Sequence, residues 1–190
     1  MHMSTDHPQA ATPASAPSIN EPLRQELLQM QDADQQMRST IAGKYPPGTP
    51  MPAEDAAWWQ AVDTGHTERM KQIIAQYGWP GSSLVGSDGA FAAWLLVQHA
   101  DHDREFQRQC LQFLQAAVSA GEARAQELAY LTDRVRVGEN RPQVYGTQMT
   151  IVDDELRPHP IEDETHVDER RAAVGLGPLA DYIALMKEHK

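Results

Sequence analysis

Cysteine is almost absent: Cys110 is the single one in 190 residues. No intramolecular disulfide can form, so stability has to come from packing. Long apolar runs are absent too. The longest, Ala90–Val97, is far short of the ~20 residues a bilayer-spanning helix needs. No positively charged start followed by an apolar stretch marks a secretory signal. Basic residues are scarce, 16 Lys+Arg against 27 Asp+Glu for a formal charge of −11, and cluster only at Arg170-Arg171. A nucleic-acid partner wants a basic patch, so none is expected. G-x-S-x-G, P-loop and Rossmann fingerprints are missing. These absences predict a cytoplasmic protein with no membrane partner, no cofactor and no tightly held metal.

What is present reads as helix. Met1–Ser18 is rich in Ala, Pro, Ser and Thr, a disordered leader by composition, and residues 19–190 form one globular domain. Asn20 can cap a helix over residues 20–42, in which Leu23, Leu27, Met30, Met37 and Ile41 make one apolar stripe. Asp34 falls on that stripe, with Arg38 at ion-pair spacing. Lys44–Pro52 is a connector. A helix from Ala53 carries Trp58 and Trp59, Asp63–Gly65 interrupts it, and another runs from His66 to Tyr77 before Gly78. Met70, Ile73, Ile74 and Tyr77 would face inward. Ser87 or Asp88 caps a helix to His99 that is apolar on all sides, hence central. Amphipathic helices follow over Asp103–Ala120, with Cys110 as a buried thiol, and over Glu122–Val135. Gln143–Val152 and Glu155–Ile161, around Asp153-Asp154, read as a hairpin. A short helix ends at Gly175, and a last one from Pro178 turns Leu179, Tyr182, Ile183 and Met186 inward. The expected fold is mainly α, a single-domain helical bundle with one β-hairpin in its C-terminal half.

Three polar segments abut this apolar sequence: QHADHD (Gln98–Asp103), YLTDR (Tyr130–Arg134) and YGTQ (Tyr145–Gln148). Polar groups against a core cost free energy unless paired, so they mark a pocket or a buried network. His99, at a helix C-terminus where a cation is stabilised, suits a general acid–base. It can equally bond the last carbonyls. Asp101 and Asp133 join it as candidate catalytic carboxylates. His99, Asp101 and Asp103 could ligate a metal but match no metal motif. Arg134 and Arg38 can clamp an anion or carbonyl, or be surface ion pairs. Gln98, Tyr130, Gln143, Tyr145 and Gln148, with Asp34, complete the candidate substrate-binding set. Gly146 marks a close approach of ligand or backbone. Charges around Asp163, Asp168, Arg170 and Arg171 read as a solvated face.

Jointly, DQQMR (Asp34–Arg38), YGWP (Tyr77–Pro80), WLLVQHAD (Trp94–Asp101), AYLTDR (Ala129–Arg134), PQVYGTQ (Pro142–Gln148), PIED (Pro160–Asp163) and VDERRAAVGLGPLADY (Val167–Tyr182) resemble a bacterial domain-of-unknown-function family. The resemblance spans Leu23–Tyr182 and implies one complete domain. It brings no activity, cofactor or catalytic residues. The residues themselves point to an enzyme acting by acid–base hydrolysis, elimination or isomerisation on a small polar molecule or peptide. The alternative is a non-catalytic ligand-binding or interaction module of immunity, antitoxin or adaptor type.

Overall fold

A computed structural model describes residues 18–45, 49–153 and 155–188. Residues 1–17 of the expected leader, Pro46–Gly48 of the connector and Asp154 of the hairpin turn lie outside the described residues. Seven helices and one hairpin appear among the described residues, in the order α1 (Glu21–Lys44), α2 (Ala53–Tyr77), α3 (Ser82–Gln98), α4 (Arg104–Ser119), α5 (Ala125–Gly138), β1 (Met149–Val152), β2 (Glu155–Pro158), α6 (Val167–Ala173) and α7 (Leu179–Glu188). The fold is mainly α with an antiparallel two-stranded hairpin in the C-terminal half.

α1 starts where Asn20 accepts the Leu23 N–H at 3.2 Å, and it runs parallel to α3. The Asn20 N–H meets the Leu84 carbonyl at 2.7 Å, while Asp34 meets His99 at the other end. α2 lies antiparallel to α1, pinned by Arg69–Glu26, Asp63–Arg38 and Asp55–Lys44. α3 is the central helix, burying Val85, Ala90, Ala92, Ala93, Leu96 and Val97. Each large apolar side chain enclosed in this way contributes roughly 1.5–3 kcal/mol. The first turn of α3 breaks at Gly86 (φ 74°, ψ 166°), a conformation closed to a side-chain-bearing residue without strain. The continuous helix therefore begins at the expected Ser87. The last carbonyls of α3, Val97 and Gln98, accept from the enclosed Gln107 amide at 3.2 and 3.1 Å.

Three expectations need correction. α2 runs unbroken through Asp63–Gly65. Thr64 and Gly65 sit on its exposed side, where a glycine costs only about 1 kcal/mol relative to alanine. Tyr77, expected inward, is exposed. Gln143–Gln148 is not strand: it is an irregular loop with one isolated bridge, from Gln143 to Ile161 in the segment after β2. The four α7 residues expected inward are half-buried. Among the described residues no helix is long and apolar enough to cross a membrane.

Candidate functional site

The candidate residues divide between two networks, and the turn 99–103 belongs to both. In the first, α1 brings Asp34 and Arg38, α2 brings Asp63 and His66, and the end of α3 brings His99. Asp34 is enclosed, with 1% of its side chain exposed, because the apolar stripe of α1 carries it inward. His99 Nδ1 lies 2.9 Å from both Asp34 oxygens. Arg38 Nε lies 3.0 Å from Asp34 Oδ1 and 3.0 Å from His99 Nδ1. A guanidinium N–H only donates. An unprotonated Nδ1 would set its lone pair against a carboxylate. We therefore assign Nδ1–H as donor to Asp34 and the Arg38 Nε–H as donor to Asp34 Oδ1. In neutral His99 the lone pair is then on Nε2, which has no partner among the described residues and is not enclosed. Desolvation pushes the Asp34 pKa up, but the hydrogen bond and charge of His99, with Arg38, outweigh it and hold the carboxyl below its ordinary range.

Arg38 is held from the other side as well. Its Nη2 donates to Asp63 at 2.6 Å, Trp59 Nε1 donates to the second Asp63 oxygen at 2.8 Å, and the Trp59 ring lies 4.7 Å from the guanidinium carbon. With Asp34 and Asp63 both engaged, Arg38 is a neutralised cation and no free anion clamp. Asp63, Trp59 and His66 escape a reading that breaks the helix at Asp63–Gly65. The steps of four and three between Trp59, Asp63 and His66 are the signal that places them on one helical face.

The second network is built by the C-terminal half. Asp133, wholly enclosed, accepts from the Val144 N–H at 2.7 Å, the Tyr145 N–H at 3.1 Å, and the Thr147 N–H and hydroxyl, both at 2.9 Å. Both oxygens are thus taken by the loop, which makes Asp133 an anchor rather than the catalytic carboxylate expected. The Gln143 amide is likewise consumed: it donates to the Gln148 and His159 carbonyls at 3.0 and 2.8 Å and accepts the Gln148 N–H at 2.9 Å. Both amide hydrogens are taken, and the oxygen, with one lone pair in use, is enclosed away from any substrate. From above, Arg170 donates to the Val144 carbonyl at 2.9 Å, Arg171 to Tyr145 at 2.7 Å, and the Tyr182 hydroxyl to Thr147 at 2.9 Å. The expected solvated face is therefore wrong at Arg171, which is buried and also donates to the Gly177 carbonyl at 2.6 Å. Asp168 accepts the Leu179 N–H at 2.7 Å. Tyr130 packs edge-on between Trp94 and Tyr182. The Tyr145 ring is half-buried, and desolvation raises its phenol pKa.

Arg134 joins the loop to the turn. It grips Asp101 with two bonds of 2.9 and 2.5 Å and reaches Gln148 Oε1 at 3.3 Å. Arg104 and Gln107 also donate to Asp101, at 3.0 and 3.1 Å. Desolvation raises the Asp101 pKa, but Arg134 outweighs it and the carboxyl stays below its usual range. Asp103 instead accepts the Phe106 N–H at 3.0 Å and pairs with Lys71 at 2.8 Å. His99, Asp101 and Asp103 thus point to three different helices. Among the described residues no group of three or more His, Cys, Asp and Glu is placed to hold a metal ion. Burial pushes the Cys110 thiol up to about 12, so it stays protonated and unreactive.

Two cavities stand out among the described residues, and no candidate residue lines either. One, of about 540 Å³, lies between the start of α3 and residues 121–127; the other, of about 290 Å³, lies between Val137–Pro142 and His159-Pro160. The expected pocket shared by His99, Arg134 and Gln148 is not among them. Arg134 and Gln148 touch, whereas among the described residues the His99 ring bonds only to α1.

Neither a curated protein nor a solved structure matches the chain. The model of one family, a family of unknown function (DUF6624), matches residues 21–190. That covers every element from α1 to α7, and the chain belongs to this family.

Proposed function

We propose that the protein is an enzyme acting by general acid–base chemistry, through hydrolysis, elimination or isomerisation, on a small polar molecule or peptide. His99 Nε2 is the proton-transferring atom, and Asp34 is the carboxylate that fixes its tautomer and stabilises the imidazolium when it forms. The observation that carries the reading is the geometry of the dyad: an enclosed Asp34 within 2.9 Å of Nδ1, and an Nε2 free of partners among the described residues. A histidine oriented by a buried carboxylate with its far nitrogen open is the arrangement general-base catalysis requires. Asp63 and Arg38 support the dyad from α2 and α1.

A second reading, a non-catalytic ligand-binding or interaction module, draws on the other network. Asp133, Gln143 and Arg171 are satisfied by backbone, and a saturated network rigidifies without reacting. One experiment separates the two. Wild-type protein and His99→Gln are each incubated with a water-soluble metabolite extract and with a peptide library, and products are followed by mass spectrometry. The enzyme reading expects compounds consumed by wild type and spared by about 10²-fold or more in His99→Gln. Identical profiles would favour the interaction module.

A further inference from the structure

Resting on that reading, we propose that His66 is a second substrate-contacting residue of the His99 site, and that the site takes an uncharged or cationic polar group, such as an amide, amine or hydroxyl, rather than a phosphate or other anion. Four buried side-chain polar atoms lack a partner among the described residues: His66 Nδ1, Thr67 Oγ1, Trp79 Nε1 and Gln98 Oε1. Three of them belong to His66, its chain neighbour Thr67, and Gln98, the neighbour of His99. An unpaired buried polar atom costs about 1–3 kcal/mol, so its persistence beside an oriented histidine points to a group that arrives from outside. The His66 ring is half-buried and lies three residues after Asp63 on the same face of α2; Asp63 bonds Arg38, and Arg38 bonds Asp34, which places His66 in the dyad's surroundings. Desolvation, partly opposed by the two carboxylates, lowers its pKa, which keeps the ring neutral near pH 7. A neutral imidazole both donates and accepts, which suits a substrate hydroxyl or amide.

Charge sets the substrate class. Asp34 and Asp63 bring two negative charges and Arg38 one positive, and Arg38 is bonded to both carboxylates. With His66 and His99 neutral, this centre carries −1. Proton abstraction by His99 Nε2 leaves an imidazolium beside Asp34 and takes the protein groups to neutral while the deprotonated substrate takes up the negative charge, so the sum stays at −1 for a neutral substrate. A bound phosphate would raise it to −2 or beyond before any chemistry, and the guanidinium that could answer it is already committed. Across the turn, Asp101 faces Arg134 and Arg104, and those cations are engaged with it.

The test divides a water-soluble metabolite extract on an anion exchanger at pH 8 into retained and unretained fractions. Each is incubated with wild type, His99→Gln, His66→Phe and His66→Gln, all checked for an unchanged thermal midpoint. The expected result is His99-dependent consumption in the unretained fraction. It should be slowed about tenfold by His66→Phe, from loss of one hydrogen bond, and largely restored by His66→Gln, which can still donate and accept. Consumption confined to the retained fraction would overturn the substrate class. Full activity in His66→Phe would overturn the role of His66 while leaving His99 as the base. If His66→Phe unfolds, wild type decides through the imidazole resonances of His66 and His99, which should shift together when the unretained fraction is added; a shift of His99 without His66 would overturn the role of His66. Consumption in neither fraction removes the acid–base reading itself, and this inference with it.

Discussion

Replacing Asp133 with alanine removes one carboxylate and strands four donors: the N–H groups of Val144, Tyr145 and Thr147 and the Thr147 hydroxyl. Val144 and Tyr145 are half-buried, so water can repair part of the loss, and each costs about 1 kcal/mol, the lower end for a stranded group. The Thr147 N–H is buried and costs about 2 kcal/mol. Its hydroxyl can rotate and adds little. The sum is about 4 kcal/mol, which in a chain of this size lowers Tm by about 8–16 °C. Asp133→Asn retains one acceptor oxygen and should lose about half as much. Urea titrations followed by circular dichroism measure both. A midpoint for Asp133→Ala within about 1 kcal/mol of wild type would refute the reasoning. It would mean that Arg170, Arg171 and Tyr182, which hold the same loop by its carbonyls, suffice without the anchor.

Arg134→Met should cost only about 1 kcal/mol in a urea titration, because the pair is part-exposed (27% and 41%) and Asp101 keeps Arg104 and Gln107; a loss above about 3 kcal/mol would make Arg134 a buried structural cation. Gly146→Ala should destabilise by about 2 kcal/mol or more, since φ is 71° and a Cβ would sit 2.8 Å from Leu179 Cδ1 and 3.0 Å from Ile161 Cδ1; a neutral midpoint would show that the loop yields freely. Burial holds the His66 pKa below its usual 6.5, so the unfolded chain takes up this proton first. Stability should therefore fall as the pH drops below about 6.5, and His66→Gln should flatten that slope in unfolding measured from pH 8 to 5; an unchanged slope would assign it to other groups.

The helices were legible because their signals are local. The stripe of α1, the all-apolar run of α3, the cap at Asn20 and the stop at Gly78 follow from spacing and propensity alone. Asp34 was legible as a polar residue on an apolar stripe, and its partner proved to be His99, 65 residues away. What local signals do not carry is pairing at a distance. Gln143–Gln148 has the composition of a strand, yet its N–H groups go to an aspartate side chain on α5 and its carbonyls to arginines on α6. Tertiary partners replace the ladder that β-propensity presupposes. Arg171 reads as a surface charge because arginine usually is one; three carbonyl-and-ring contacts make it an internal strut. In α2, a Thr-Gly pair outweighed the periodicity that continues through it, and Asp63 and His66 were lost with the helix.

The two networks differ in kind, and the difference bears on where chemistry can occur. Around Asp133, Gln143 and Arg171 the oxygens and amide groups meet protein partners, so a ligand gains nothing there without first breaking a bond. Around Asp34 the inner atoms are equally committed, yet His99 Nε2 is left open and the buried His66 Nδ1 is without a partner among the described residues. The first network still bears on the second, through contacts that can be followed one at a time. Asp133 and Gln143 shape the loop, Gln148 at its end receives Arg134, Arg134 grips Asp101, and Asp101 stands two residues from His99. The turn is thus pinned on one side by a part-exposed but bidentate ion pair and on the other by the enclosed Asp34. A histidine ring fixed at Nδ1, on a turn fixed at Asp101, has one orientation available for Nε2. That pre-organisation, rather than direct contact with a substrate, is what the polar segments of the C-terminal half contribute to the proposed reaction.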